Sequence, residues 1–466
     1  MTRNIIFYDT ETTGIHKDFS QIIQCGSILT DEKLNLKDQQ NIGSRPLPWV
    51  IPQPKAMLTN KKINQFKSNI SHYEMMFDIQ KKWKEWSAKN SSIFVTYNGH
   101  AFDEELIRRQ FWCNLLEPYV TNTNGNSRLD LMLVMHNVAS FFSNEIEIPL
   151  HDEGPTISLK LEHIANVHGI DTSNAHDAIS DCEFMIGICK IIQEKLPDIF
   201  DSFLQISSKE GIKSLLYSGE YLALGEVYRR HVFKYPVVIC GGDNSRPNDI
   251  CFYDLSFDPE DIVNLDFSDI NKMIQSGGRD SPLKKYKINK TIPICSHKLL
   301  SNYNHFDIDN DELQKRADVI SSNKDFQTKV SQAMEDRIMN FPEPGYLEGT
   351  IYSGGFPSYR DKDLMSEFHI TNELNHLIKI SRNFEDERFR LLAERIICSR
   401  FSSEIPEDIS KRFNELIHER IFTEGKWGSI DKSLLEIERL IESNQDPEDI
   451  KILDITKNYI EELSKS

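Results

Sequence analysis

No run of about 18 consecutive apolar residues occurs in this 466-residue chain, so a membrane-spanning helix is excluded. Cys-x-x-Cys pairs are also missing. Cys25, Cys113, Cys182, Cys189, Cys240, Cys251, Cys295 and Cys398 stand singly, which argues against a zinc knuckle or a thioredoxin-like motif and predicts buried, reduced thiols. Positive charge is scarce: 54 Lys and Arg against 72 Asp and Glu leave a net charge of −18. That balance argues against a protein that coats a polyanion by bulk electrostatics. It leaves room for an enzyme that gathers carboxylates around cations. The stretch Met1–Asp9 reaches an acidic residue too soon for a secretory apolar segment, so a cytoplasmic location is expected.

The length calls for two or three domains. Alternating strands and helices fill the first 200 residues and predict a layered α/β domain. Asn4–Tyr8, Ile22–Thr30 and Ile93–Tyr97 read as strands, the first running into Asp-Thr-Glu-Thr-Thr-Gly and the third closed by Asn98-Gly99. Asp103–Trp112, Ser158–His168 and a segment capped by Asn174 or Asp177 and running through Lys190 read as helices. Beyond residue 200, short β-prone runs at Val237–Cys240, Ile250–Tyr253 and Tyr286–Ile294 predict a small barrel-like β module. Asn340–Gly345 reads as a linker or turn. From there Phe384–Ser399, Asp408–Ile421 and Asp431–Ile441 follow a 3.6-residue period with charges outside. The expected division is 1–198, 199–348 and 349–466.

Chemistry enters with three acidic elements. In Asp9-Thr10-Glu11, alternate side chains of a strand share one face, so both carboxylates converge at its end, as hard divalent cations require. Asn98-Gly99-His100-Ala101-Phe102-Asp103 brings Asp103 to the start of a helix, either as a further carboxylate or as that helix's cap. The third, Ser173–Asp181, carries His176 and Asp181 five positions apart, which on a continuous helix are about 140° apart. They face one site only if His176 sits on the entering loop. Asp177, four residues before Asp181, is the alternative carboxylate.

The order of these elements resembles the ribonuclease-H-like superfamily of 3′→5′ exonucleases with four acidic residues and a histidine. That resemblance assigns Asp9, Glu11, Asp103 and Asp181 to two Mg2+ ions (Mn2+ substituting), about 3.5–4 Å apart in such sites, and His176 to the general base. Phe7–Gly14, Asn126–Leu131, Leu161–His163, Asn166–Ile170 and Ser173–Ala178 are similar to the bacterial exodeoxyribonuclease I family. Leu224–Arg229 and Ile351–Phe356 match it more loosely. The resemblance implies an α/β exonuclease domain, an SH3-like β module and a C-terminal helical region. Together these would close a groove around one strand of DNA and release nucleoside 5′-monophosphates in DNA repair and recombination. It further implies a monomer, with single-stranded DNA as partner and a dock for the acidic tail of single-stranded-DNA-binding protein. An oligoribonuclease, a proofreading exonuclease and an inactive binding module are the rival readings. The long extension after residue 200 and the intact acidic set speak against them.

A groove for DNA calls for cations and aromatics. Arg128 and Lys160, in or beside matched segments, are candidates for holding phosphates, although Lys160 stands where the family often has arginine and would act as a point charge. Tyr228-Arg229-Arg230-His231 and Lys284-Lys285-Tyr286-Lys287 interleave aromatics with cations, as single-strand contact requires. From these runs Tyr228, Arg229, Lys284 and Lys285 are the candidate contacts. Glu11 would also face substrate. Phe102 is a candidate for stacking on the terminal base, with a core role as its alternative.

Overall fold

The computed structural model describes residues 3–465 apart from 152–153, 301–304, 338–342 and 402–403. The expected linker at Asn340–Gly345 therefore begins outside the described residues. Five strands, β1 (Asn4–Thr12), β2 (Ile22–Thr30), β3 (Leu36–Gly43), β4 (Ser92–Thr96) and β5 (Ser127–Asp130), form a mixed sheet in the order β3-β2-β1-β4-β5. β1 with β2 and β2 with β3 pair antiparallel, while β1 with β4 and β4 with β5 pair parallel. β1 is central and covered on both faces, which explains its unbroken apolar run Ile5–Tyr8.

Helices α1 (Pro54–Asn60), α2 (His72–Ser87), α3 (Asp103–Cys113), α4 (Leu131–Phe141), α5 (Leu161–Val167) and α6 (Ala178–Lys195) surround this sheet. On one face Ile6, Tyr8 and Phe94 pack with Trp83 of α2 and Leu106, Ile107 and Phe111 of α3. On the other, Ile5, Phe7 and Val95 pack with Met135 of α4 and Met185 and Ile188 of α6. That second core continues without a break through α7 (Pro197–Ile206) and α8 (Lys209–Leu216) into the next sheet. The boundary expected at 198/199 thus falls inside α7.

Strands β6 (Leu222–Tyr228), β7 (His231–Gly242), β8 (Asp249–Asp254), β9 (Leu283–Lys287) and β10 (Ile294–Ser296) form an antiparallel sheet ordered β10-β6-β7-β8-β9. The run expected to be one strand, Tyr286–Ile294, is broken between β9 and β10, and residues 288–293 cross to the first domain. Helices α9 (Phe267–Ser276), α10 (Asn310–Ser322) and α11 (Lys324–Glu335) cover the outer face through Ile270, Ile274, Leu313, Phe326 and Val330. The remaining chain is helical: α12 (Tyr359–Ile370), α13 (Leu374–Ser381), α14 (Glu387–Arg400), α15 (Glu407–Phe422), α16 (Ile430–Ser443) and α17 (Pro447–Leu463). Its residues Phe368, Phe389 and Leu392 pack on Tyr73 and Trp112, and Ile452 of α17 packs on Ile23 and Met57. All eight cysteines are free thiols, six of them buried and Cys113 and Cys398 half-buried.

Candidate active site

β1 outruns its parallel neighbour. Its pairing with β4 stops at Phe7 opposite Val95, so the stretch Asp9–Glu11 is open on that edge to the turn that follows β4. On its other edge Asp9 lies opposite Gly26 of β2. A Cβ on Gly26 would stand 2.4 Å from the backbone carbon of Ala178. Only glycine lets the first turn of α6 lie this close to the strand, and that approach carries Asp181 to the β1 carboxylates. One oxygen each from Asp9, Glu11 and Asp181 lie within 4.8 Å of one another.

Asp103 is buried beside them. It is the first residue of α3, whose cap position is held by Phe102 with no side-chain cap bond, so Asp103 does not serve as the cap. Its Oδ1 accepts the Thr10 hydroxyl at 2.5 Å. The ambiguity over Asp177 also resolves: its Oδ1 caps α6 through the Ile179 N–H (3.3 Å), while its Oδ2 accepts Lys62 Nζ (2.5 Å) and Gln24 Nε2 (3.2 Å). His176 lies on the exposed loop entering α6 with φ of 66° and directs its backbone N–H to Asp181.

The electrostatics are those of a site built for cations. Burial, then repulsion from Asp103, Asp181 and Glu11, holds Asp9 well above the usual carboxylate range. Burial and Asp181 push Glu11 to about 9, with Lys62 opposing. Asp181 rises to about 7, chiefly through burial, offset by the His176 amide. Asp103 rises to about 6 through burial, offset by Thr10. Oxygen donors crowded this closely and kept partly from water fit hard divalent ions, which remove the repulsion when bound.

Second contacts come from β5 and from outside the first domain. Asp130 accepts N–H groups from Asn98 (2.8 Å) and His100 (3.1 Å), fixing the turn that leads to Asp103. Thr291, from the 288–293 crossing, takes the Asp130 N–H on its hydroxyl (2.8 Å) and gives its own N–H to His100 Nε2 (3.0 Å). Burial lowers His100 to about 3, leaving a neutral acceptor. Sequence reading found no role for Thr291, Asp130 or Lys62. Their spacing carries no signal, because each acts through a fold-level contact.

Several predicted strand contacts are spent internally. Arg128, a candidate for holding phosphate, is engaged within the fold: Nη1 pairs with Glu104 (2.9 Å) and Nη2 donates to the Asn289 carbonyl (2.8 Å). Lys284 is buried over the Tyr235 ring (3.8 Å) and donates to the Arg279 carbonyl (3.0 Å), and Lys285 donates to the Ile274 carbonyl. A strand alternates its faces, and the sequence does not say which face of β9 is buried. Tyr228 remains 45% exposed at the β6–β7 turn, beside Arg229 (5.4 Å) and under Arg279 (4.1 Å). Lys160 is exposed and loosely paired with Glu162 (3.6 Å), and Phe102 is half-buried against the α2–α3 core.

A mixed sheet with carboxylates at the end of its central strand, met by a fourth from the helix packed across it, defines an exonuclease of the ribonuclease-H-like class. Residues 6–189 match the family model described as "Exonuclease", and residues 347–463 match that of the "Exonuclease I C-terminal domain". Exodeoxyribonuclease I of Buchnera aphidicola is 26% identical, covering 84% of this chain and 95% of that protein. The Escherichia coli enzyme of that name is 24% identical over 98% of both chains. Among solved structures, E. coli exonuclease I in complex with a dA16 oligonucleotide superimposes with a TM-score of 0.82 at 22% identity, covering 99% of this chain and 100% of that one. A moderately thermophilic exonuclease I from Methylocaldum szegediense gives 0.82 at 23% identity, with 99% of each chain covered. The chain belongs to the bacterial exodeoxyribonuclease I family and is a hydrolytic exonuclease.

Proposed function

We propose that this enzyme removes nucleotides one at a time from the 3′ end of single-stranded DNA, releasing nucleoside 5′-monophosphates. The observation that carries the reading is the convergence of Asp9, Glu11 and Asp181 within 4.8 Å, with Asp103 held alongside. Asp9, Glu11, Asp103 and Asp181 would hold Mg2+ ions, which supply charge neutralisation at the phosphate and acidify a bound water. Thr10 orients Asp103 through its hydroxyl. His176, on its exposed loop, takes the proton from the attacking water. Glu11, at the end of β1, faces the terminal nucleotide.

Tyr228, Arg229, Lys160 and Phe102 are the strand contacts we retain, because aromatic faces and unburied cations suit a single strand with unstacked bases. The middle sheet has its first strand between its second and fifth, an order that supports an SH3-like reading. With it, the units 1–198, 199–348 and 349–466 stand as a working division, shifted at the first boundary by α7. We place the enzyme in the cytoplasm as a monomer acting in DNA repair and recombination, with single-stranded-DNA-binding protein as a partner through its acidic tail.

Degradation rates on single-stranded DNA, duplex DNA and oligoribonucleotides test the substrate. Faster turnover of single-stranded DNA is expected, and equal or faster turnover of RNA overturns the assignment. Asp181→Ala and His176→Ala should abolish hydrolysis while DNA binding persists. Undiminished activity in both would mean the centre lies elsewhere.

A further inference from the structure

Residues 60–62 join α1 to the single-turn helix Ile63–Lys67 and touch both halves of the acidic cluster. Asn60 Nδ2 donates to the Thr12 carbonyl at 2.9 Å, one residue beyond Glu11 on β1. Its Oδ1 accepts the Lys62 N–H at 3.1 Å. Between them Lys61 adopts a left-handed conformation, φ 57°, which costs a non-glycine residue about 1–2 kcal/mol. Strain of this kind survives only where the surroundings over-determine it. Here that support is the end of α1, where the Lys61 N–H caps the helix on the Met57 carbonyl, and the stack of Phe66 on Tyr459 of α17 at 4.2 Å.

The far end of this bridge is a largely buried ion pair. Lys62 Nζ lies 2.5 Å from Asp177 Oδ2, with the two side chains 13% and 30% exposed. Gln24 of β2 donates to the same oxygen at 3.2 Å. Asp177 is the cap of α6, adjacent to His176 and one helical turn before Asp181. Through Asn60 and Lys62, one short segment is therefore fastened to the strand bearing Asp9 and Glu11 and to the helix bearing Asp181. The charge of Lys62 also eases ionisation of Glu11 and Asp181. An exposed pair would contribute no more than about 1 kcal/mol, and its loss would pass unnoticed by the reaction. A partner held behind a ligand helix acts instead on geometry.

We propose that Lys62 is a positioning residue of the hydrolytic site. Through Asp177 it holds the His176–Asp181 turn in place against the β1 carboxylates, while Asn60 secures the opposite side. This inference rests on the reading of the four carboxylates as metal ligands and His176 as base.

The test compares Lys62→Met, Lys62→Arg, Asp177→Asn and the double variant Lys62→Met/Asp177→Asn in the full-length protein. Asparagine caps helices as well as aspartate, so the third variant keeps α6 while losing the pair. Each is assayed for kcat and KM on single-stranded DNA and, without DNA, for Mn2+ binding by calorimetry. Lys62→Met should lower kcat by about ten- to a hundredfold with KM little changed. Its Mn2+ binding should weaken, because Asp181 is no longer held against the β1 carboxylates, while the melting temperature stays near that of wild type. Asp177→Asn should lower kcat comparably while weakening Mn2+ binding. Lys62→Arg should recover most of kcat, and the double variant should be no slower than the slower single one. Wild-type kcat in Lys62→Met, with Asp181→Ala inactive, overturns the proposal. So does a loss of kcat accompanied by unchanged Mn2+ binding and a lower melting temperature, which would mark Lys62 as a support of the fold alone. An active Asp181→Ala would instead remove the metal site itself, and the proposal with it.

Discussion

Asp181→Asn should make the metal-free protein more stable at pH 8 while destroying its activity. In the folded chain burial pushes the Asp181 carboxyl from 3.8 to about 7. Its folded value lies above its unfolded one, so the group favours folding fully below about pH 4. That advantage is lost as pH rises through about 7. Each tenfold change in the ionisation constant corresponds to about 1.4 kcal/mol, and roughly three such steps make ionised Asp181 about 4 kcal/mol unfavourable at pH 8. Asparagine removes the charge at nearly the same volume, so the gain should approach that figure, less what its neighbours recover by re-ionising. At roughly 1 °C per kcal/mol for a chain of this length, the melting temperature in EDTA should rise by several degrees at pH 8, with no difference near pH 4. Calorimetry or circular dichroism at the two pH values measures this directly. Excess Mg2+ should reverse the order at pH 8, raising the wild-type midpoint and leaving the variant nearly unmoved. An Asp181→Asn protein no more stable than wild type in EDTA at pH 8 would show that Asp181 does not stand in a repulsive carboxylate cluster.

Gly26→Ala should retain the fold but lose about a hundredfold in kcat, since its methyl meets the Ala178 backbone and displaces Asp181; a rate assay beside a far-ultraviolet spectrum checks both parts. Thr291→Val should cost about 1–3 kcal/mol by stranding the Asp130 N–H and the contact to His100, measured by urea unfolding; a wild-type midpoint would separate the crossing from the turn it grips. Glu348→Ala leaves Arg420, 3% exposed, and Arg395 without their shared carboxylate. It should destabilise the docking of the C-terminal helices by about 3–5 kcal/mol, visible as faster proteolysis there than in the first domain.

The strands Ile22–Thr30 and Ser92–Thr96, the helices α3 and α6, and the late helices α14, α15 and α16 were legible because each carries its own period and end signals. So was the convergence of Asp9, Glu11 and Asp181, whose types and flanking turns follow from local chemistry and from resemblance. The exposed strand β3 and the broken run after Tyr286 were not, for each takes its limits from what packs against it.

Cations divide the two kinds of knowledge most clearly. Arg128, Lys284 and Lys285 read as free charges, yet Glu104, Tyr235 and two backbone carbonyls take them up. Lys62 read as nothing, yet it lies against the cap of the helix that carries Asp181. Local order along the chain settles which residues are carboxylates and which segments coil or extend. Whether a charged side chain meets water or a partner 115 residues away depends on long-range packing, because Coulomb attraction and desolvation act through space and not along the backbone.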